Sequence, residues 1–211
     1  MRLKERHHPR LKKLRWLENC LWLIGCSTLC YCLFLITKAM IFQTRAAQAF
    51  DQVRANIVPV QTLPRARAVR VLTFTNPVAP TGASVLGRLK IARVGISAMV
   101  FDGTEPGTLR VGLGHIVGTS EPGEDGNIAI AGHRDTFFRP LRRVQTGDFI
   151  ALETWRASYR YRVSSTEIVD PEDLAILQSR EKPELTLITC YPFSYFGHAP
   201  KRFIVHAAFV P

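Results

Sequence analysis

The longest apolar run of the chain extends from Asn19 to Thr37 and contains no charged residue in 19 positions. As an α-helix this run would be about 28 Å long, close to the roughly 30 Å hydrocarbon core of a bilayer. Its apolar residues occupy all sides, whereas a helix packed on a globular core has one apolar face. The pattern therefore predicts one transmembrane helix over residues 19–37.

Beyond Val85 the pattern changes to short segments in which apolar and polar residues alternate, separated by turn-forming residues. This alternation is typical of a mainly β domain built as a sheet or barrel. The predicted strands run from Leu86 to Ile91, Ile96 to Phe101, Asn127 to Ala131, Asp148 to Glu153, Ser158 to Ser164, Leu185 to Cys190 and Arg202 to Phe209.

Short helices are predicted between these strands, over Thr108 to Leu113, Phe137 to Val144 and Pro171 to Ser179. The last one has the clearest start signal. Asp170 can cap it, Pro171 suits the first helical position, and acidic residues follow in the first turn. We therefore expect a β-barrel with small helices.

The segment that joins the apolar run to the β domain, residues 38–84, is rich in proline and small residues and lacks a sustained apolar period. We predict a stalk or linker there, helical in part over residues 43–56. The predicted organisation is a basic cytoplasmic segment at 1–18, a transmembrane signal anchor at 19–37, the stalk or linker at 38–84 and a folded domain at 85–211.

The formal net charge of +11 would ordinarily suggest a nucleic-acid partner. Its distribution argues against one, because residues 1–80 hold 13 Lys and Arg against three acidic residues. The remainder, residues 81–211, holds 15 Lys and Arg against 14 acidic residues and is nearly neutral. We therefore expect no nucleic-acid partner for the β domain.

The basic N-terminus instead predicts the orientation of the membrane helix. Seven Lys and Arg precede the apolar run, and the positive-inside rule then keeps the N-terminus in the cytoplasm and the β domain outside. A cleaved signal peptide is the alternative, since Ala47, Gln48 and Ala49 form an A-x-A-like site. That site lies well beyond an unusually long apolar run, which favours an uncleaved anchor in the plasma (inner) membrane.

Cysteine usage singles out one thiol. Four of the five cysteines lie within the apolar run, and Cys190 alone belongs to the exported part. No intrachain disulfide and no thiolate-rich metal site can form there. Cys190 is therefore a free thiol outside the membrane, either reactive or buried and inert.

Strand alternation places an arginine beside this thiol. Cys190 shares one face of its strand with Ile188 and Thr186, and Arg202 shares a face of the last strand with Ile204 and His206. If the two strands are antiparallel neighbours, Cys190 and Arg202 meet at one end of the barrel. His206 would then lie about 13 Å farther along the strand, in a structural position.

A reactive thiol also needs a base, because the thiolate is the nucleophile and an unperturbed cysteine is little ionised near neutral pH. The candidates outside the membrane are His115, His133, His198 and His206. His133 is best placed, since it follows the apolar strand in "NIAIAGHRDTFF" directly after a glycine. Each of these histidines taken alone is more often structural than catalytic.

Three segments together resemble the sortases, the cysteine transpeptidases of bacterial cell surfaces. Along the chain, "IAGHR" contains His133, "TLITC" ends at Cys190 and "KRFIV" contains Arg202, which is the order of that family. The longer stretches "GHIVGTSEPGEDGNIAIAGHRDTFFRPL" and "CYPFSYFGHAPKRFIV" are most similar to class D sortases. The resemblance covers about residues 81–211.

This resemblance implies an eight-stranded sortase β-barrel with Cys190 as nucleophile, His133 as acid/base partner and Arg202 as the group that positions substrate and stabilises the oxyanion. It also implies the reaction: cleavage of an LPxTG-like sorting signal in an exported protein, and transfer of the thioacyl product to an amine on a peptidoglycan precursor or a surface protein. Thr189 contacts substrate or packs within the strand. The loop aromatics Tyr191, Phe193 and Tyr195 either line a peptide groove or cover the barrel end.

Two other functions use the same residues. A secreted cysteine peptidase would pass its acyl group to water, and a membrane-tethered binding barrel would keep Cys190 buried. No metal or cofactor is expected: Glu121, Glu124 and Asp125 could contribute oxygen ligands to Ca²⁺, but their segment has the composition of a solvated turn.

Overall fold

The computed structural model of the chain describes residues 9–56, 82–178, 182–195 and 197–211, with side chains from residue 14 onward. The chain divides into two compact units, Met1–Ile41 and Phe42–Pro211.

The described part of the N-terminal unit is the first part of a long helix, α1, which spans Pro9–Asn56. Among the described residues, its segment Leu14–Ala55 is the one helix long and apolar enough to cross a membrane. Large apolar side chains of this unit, including Trp22 and Leu23, are exposed. This agrees with the predicted transmembrane helix, whose orientation stays a prediction.

The second unit contains eight strands that form one closed barrel, in agreement with the predicted fold class. The strand order around the barrel is β1-β2-β3-β4-β7-β8-β6-β5. The strands are β1 Val85–Ile91, β2 Ile96–Asp102, β3 Leu113–His115, β4 Asn127–Ala131, β5 Phe149–Thr154, β6 Ser158–Val169, β7 Glu184–Tyr191 and β8 Lys201–Val210.

The barrel interior is filled by the apolar residues that alternate along these strands. Leu185 and Leu187 of β7 and Val205 and Ala207 of β8 are buried in it, as the alternation predicted. The residues at the alternate positions of each strand, which include Cys190 and Arg202, consequently face the outer surface of the barrel.

Several elements differ from the sequence prediction, among them β6, which was predicted to end at Ser164 and extends to Val169. The strand β3 was missed, because the predicted helix ran through Leu113. The observed helix α2, Pro106–Val111, ends two residues earlier, and β3 pairs in parallel with β2. The predicted helix from Pro171 to Ser179 is wrong over its described residues, which form a turn and the short 3₁₀ helix Ala175–Leu177. There the buried Asn127 amide donates a hydrogen bond to Ile176 O at 2.9 Å, so a long-range contact replaces the local capping signals. The predicted helix from Phe137 to Val144 is a 3₁₀ helix over Arg139–Arg143.

The end of α1, Phe42–Asn56, belongs to the same unit as the barrel. The predicted helical stalk is therefore present, but it is packed on the outside of β1 and β2 rather than free of them. Ala46 and Phe50 are buried against Val85, Met99 and Phe101. The Gln43 side chain accepts a hydrogen bond from Met99 N at 3.0 Å and donates one to Val111 O. Residues 57–81 of the predicted linker lie outside the described residues.

An ion pair joins the turn after β1 to the start of β5. The Arg93 guanidinium, in the 3₁₀ turn between β1 and β2, donates to both oxygens of the Asp148 carboxylate, at 2.6 Å for Oδ2. Asp148 Oδ2 also accepts a hydrogen bond from Gln145 N at 2.8 Å. These contacts fix one end of the barrel framework.

Candidate active site

Cys190 and Arg202 lie directly opposite each other in the antiparallel pair of β7 and β8. The same register pairs Ile188 with Ile204 and Thr186 with His206. The prediction that the thiol and the guanidinium meet at the end of two neighbouring strands is therefore confirmed. Because Cys190 is half-buried, its thiol is neither fully exposed nor sealed in the core.

His133 reaches the same level from the other side of β7. The strand β4 pairs with β7 in parallel, with Ala131 opposite Ile188, and Gly132 N continues the ladder with a hydrogen bond of 3.1 Å to Ile188 O. Two residues farther along each strand, this register brings His133 beside Cys190. Three adjacent strands therefore present a histidine, a cysteine and an arginine at one edge of the barrel.

The residue before His133 is a glycine with little free space around its Cα atom. A Cβ atom on Gly132 would lie 2.6 Å from Leu113 Cδ2 and 2.7 Å from Phe138 Cδ2, so no side chain fits there. The Thr189 hydroxyl donates a hydrogen bond of 2.7 Å to Gly132 O. Thr189 is buried, which favours strand packing over substrate contact among its two predicted roles, and it holds the segment that carries His133.

The three residues line a cavity of about 400 Å³. Arg134, Asp135, Gly197, His198 and Ala199 complete its lining. A smaller cavity of about 250 Å³ lies between α1 and the strands β1 and β2, and it contains neither cysteine nor histidine. The larger cavity is therefore the candidate active site.

The guanidinium of Arg202 is held from one side. Its Nη1 atom donates to Lys201 O at 3.1 Å and Ala199 O at 3.4 Å. Within the described part of the chain, Nε and Nη2 make no hydrogen bond to protein. Arg202 lines the cavity, and a guanidinium with unused donors is the kind of group that can bind an oxygen atom there.

The second arginine of the cavity, Arg134, is bonded differently. Its Nη1 donates to Pro192 O at 3.1 Å, and its Nη2 donates to Tyr195 O at 2.7 Å and Gly197 O at 3.0 Å. The guanidinium also lies 5.9 Å from the centroid of the Tyr195 ring. No role was predicted for Arg134 from the sequence, although its position directly after His133 is a signal that could have identified it.

The predicted loop aromatics divide into two groups. Tyr191 and Phe193 pack with Phe203, at ring centroid distances of 6.4 Å and 5.3 Å, and they cover the end of the core. Tyr195 is 47% exposed. Of the three, Tyr195 is therefore the one whose ring surface is most open to a peptide.

The remaining histidines have different surroundings. His115 is buried, with Nδ1 3.5 Å from the Asp102 carboxylate and Nε2 3.1 Å from Ser120 O. His206 is buried, with Nε2 2.7 Å from the Glu167 carboxylate. Both have the satisfied hydrogen bonds of structural histidines. His198 is exposed and lines the cavity, a position that its loop did not reveal from sequence.

Within the described residues, no group of three or more His, Cys, Asp or Glu side chains is arranged to hold a metal ion. In the acidic segment that contains Glu121, Glu124 and Asp125, the Glu124 carboxylate accepts a hydrogen bond from Glu121 N at 3.1 Å, which closes a turn. The expectation of no cofactor stays a prediction.

Comparison with known proteins identifies relatives of this barrel. A family model described as the sortase domain matches residues 89–210. Sortase D of Bacillus subtilis (strain 168) is 38% identical over 128 residues, which are 60% of this chain and 65% of that protein. Sortase A of Listeria monocytogenes is 31% identical over 111 residues, 51% of this chain and 50% of that protein. The matches thus span between half and two thirds of these two relatives.

Solved structures give the same result. A sortase D5 transpeptidase of Clostridium perfringens has a TM-score of 0.56 and 26% identity over 61% of this chain and 80% of its own. A lid mutant of sortase A from Corynebacterium diphtheriae has a TM-score of 0.58 and 25% identity over 80% of this chain and 93% of its own. The similarity to sortase D supports the predicted resemblance to class D.

Proposed function

Because the chain belongs to the sortase family, we propose that it is a membrane-anchored cysteine transpeptidase that cleaves an LPxTG-like sorting signal and joins the product to an amine at the cell surface. The observation that best supports this proposal is the placement of Cys190 opposite Arg202, with His133 lining the same cavity. A nucleophile, a proton carrier and a fixed cation are the groups that acyl transfer requires.

In the first half-reaction the Cys190 thiolate attacks the carbonyl carbon of the residue before the scissile bond. The guanidinium of Arg202 donates hydrogen bonds to the oxyanion that forms, because its Nε and Nη2 are not bonded to the described protein. The C–N bond then breaks, the imidazolium of His133 donates its proton to the leaving amine, and a thioester remains on Cys190.

In the second half-reaction an amine attacks the thioester carbonyl and His133 accepts the amine proton. The C–S bond breaks, an amide forms, and the Cys190 thiolate is restored. The proton that His133 donated in the first half is thus recovered in the second. Water in place of the amine would give hydrolysis, the alternative that the same residues support.

The proposed partners follow from the site and from α1. The cavity would receive the sorting signal of an exported protein, with the exposed ring of Tyr195 beside Arg134 at its loop side and Thr189 supporting the segment that carries His133. The acceptor would be an amine on a peptidoglycan precursor or a surface protein. The apolar helix would anchor the enzyme in the plasma membrane as a single span, N-terminus inside, with the barrel outside.

The test uses the full chain in detergent and a library of sorting-signal pentapeptides. We expect mass spectrometry to find an acyl group on Cys190, and an added amine to convert the thioester into an amide product. The Cys190→Ala variant should show no acylation and no turnover, with an unchanged melting temperature, because a strand-end thiol on the outer surface contributes little to the core.

His133→Ala should lose several orders of magnitude in turnover, whereas the matched variant His115→Ala should keep the chemistry in its folded fraction. Turnover by the purified Cys190→Ala protein would reject the nucleophile, and a dead His115→Ala enzyme beside an active His133→Ala enzyme would reject the acid/base assignment. Acylation with release only to water, whatever amine is offered, would identify a peptidase instead.

A further inference from the structure

Arg134 connects two segments that are distant in sequence. It follows His133 directly, and its guanidinium donates hydrogen bonds to three carbonyl oxygens of the loop between β7 and β8: Pro192 O, Tyr195 O and Gly197 O. Hydrogen bonds from a charged donor are stronger than neutral ones, and a planar guanidinium can serve several acceptors at fixed angles. The loop is thereby attached to the segment that carries His133.

The two arginines of the cavity therefore differ in how many guanidinium donors are left for a substrate. Both Nη atoms of Arg134 are bonded to main-chain carbonyls, and its guanidinium lies near the Tyr195 ring. Arg202 uses only Nη1 for main-chain carbonyls in the described structure. A substrate oxygen can thus bind Arg202 without breaking a protein contact, whereas it would have to displace the loop from Arg134.

The loop that Arg134 holds contributes directly to the cavity. Gly197, His198 and Ala199 line it, and Ala199 O accepts a hydrogen bond from Arg202. Release of the loop would therefore change the wall of the cavity. A peptide would then bind only the fraction of molecules whose loop is in place, which raises the apparent dissociation constant by the inverse of that fraction.

We propose that Arg134 is a positioning residue that holds the β7–β8 loop in its peptide-accepting position and so sets the affinity for the sorting-signal peptide. The proposal rests on the proposed function for the identity of the peptide, but not for the attachment of the loop. Arg134 is assigned no contact with the reacting atoms.

The test compares full-length Arg134→Gln, Arg134→Lys and Arg139→Gln in detergent. Arg139 belongs to the same segment between β4 and β5 and is exposed, and within the described residues its side chain has no bond to the loop, so its variant is the matched control. Hydrogen exchange of the loop amides reports the attachment. Kinetics with the best pentapeptide report KM and kcat, and iodoacetamide reports the reactivity of Cys190.

For Arg134→Gln we expect loop amides to exchange at least about tenfold faster, because a charged clamp on three carbonyls is lost. KM should rise about tenfold, in proportion to the loss of the peptide-accepting fraction. The alkylation rate of Cys190 should stay within about twofold, and kcat within about threefold, since saturating peptide restores the loop position. Arg134→Lys, with one contact in place of three, should fall between wild type and Arg134→Gln in both exchange and KM.

Several results would overturn the proposal. Unchanged exchange and KM in Arg134→Gln would show that the contacts do not hold the loop, and a parallel loss of kcat and alkylation at constant KM would show that Arg134 acts on the thiolate. If Arg134→Gln does not fold, Arg134→Lys decides by the same criteria. If no peptide acylates wild type, the proposed function fails, and unchanged loop exchange would then by itself overturn the attachment.

Discussion

Two parts of the outer surface of one barrel have opposite designs. Outside β1 and β2, Met99 and Phe101 are apolar and fully buried, because Ala46 and Phe50 of α1 cover them. At the edge of β4, β7 and β8, the outward side chains are the polar groups of the candidate active site, and a cavity of about 400 Å³ stays open beside them. We call these two parts the covered face and the open face.

The difference shows that stability and chemistry can involve different side chains of a closed barrel. The interior of the barrel is filled without the outward side chains of either face, so those side chains can have other functions. On the covered face they bind a helix and remove apolar surface from water. On the open face the strands support Cys190 and Arg202 rigidly, which suits the proposed chemistry because it needs fixed positions.

The largest expected effect is the loss of kcat in Arg202→Lys, a change on the open face. If the planar guanidinium makes directed hydrogen bonds to the oxyanion, lysine cannot reproduce them although it keeps the charge. We expect kcat to fall by about 10²- to 10³-fold, as for the loss of one oxyanion donor, while iodoacetamide alkylates Cys190 at a similar rate. Near-normal kcat in Arg202→Lys would refute directed hydrogen bonds to the oxyanion. A fall in the alkylation rate of Cys190 as large as the fall in kcat would mean that Arg202 mainly stabilises the thiolate.

The covered face should respond in stability rather than in chemistry. Phe50 is fully buried, and its ring lies 4.4 Å from the Trp155 ring, centroid to centroid. Phe50→Ala should lower the free energy of unfolding by about 3 kcal/mol through lost burial and a residual cavity. Activity per folded molecule should stay close to wild type. A large drop in kcat without a drop in melting temperature would show that the two faces are coupled.

The smallest expected effect concerns the ion pair between Arg93 and Asp148, and it depends on pH. The hydrogen bonds from Arg93 are the main cause that lowers the pKa of Asp148 below its ordinary value of 3.8, and the Gln145 amide adds to them against the opposing effect of burial. A carboxylate with a lowered pKa in the folded state stabilises the fold above its unfolded pKa, and this contribution is lost as pH falls through the folded value. Asp148→Asn should therefore be less stable than wild type at neutral pH.

The stability gap between wild type and Asp148→Asn should narrow as the pH is lowered from about 5 to about 2. Chemical denaturation across this range measures the gap, and Glu121→Gln in an exposed turn is the control. A gap that stays constant down to the lowest pH would show that the Asp148 charge contributes nothing to stability.

The sequence predicted the open face better than the covered one, for physical reasons. The alternation of side chains along two strands was enough to predict that Cys190 and Arg202 lie close together. Strand geometry is regular, and strands that follow each other along the chain often pair in an antiparallel sheet. The packing of α1 was missed although Phe42, Ala46 and Phe50 recur every four residues. About two helical turns of such spacing are a weak signal, and the partners of these residues, Met99 and Phe101, are distant in sequence.

The errors elsewhere have the same origin. The capping signals at Asp170 and Pro171 are local and predicted a helix, whereas Asn127, far away in sequence, binds the backbone at Ile176. The three-residue strand β3 depends on its neighbours β2 and β4 rather than on its own pattern. The role proposed for Arg134 rests on loop carbonyls about 60 residues away, which no local spacing indicates.

The direct pairing of Cys190 with Arg202 has a consequence for how such an enzyme can change over evolutionary time. Eleven residues separate the two in sequence, yet the ladder between β7 and β8 sets their distance, and the connecting loop does not. Insertions, deletions and substitutions in that loop leave Cys190 and Arg202 in register as long as both strands persist. Selectivity can therefore diversify in one stretch of chain, by natural drift or by loop grafting in the laboratory, while the reaction chemistry is inherited unchanged.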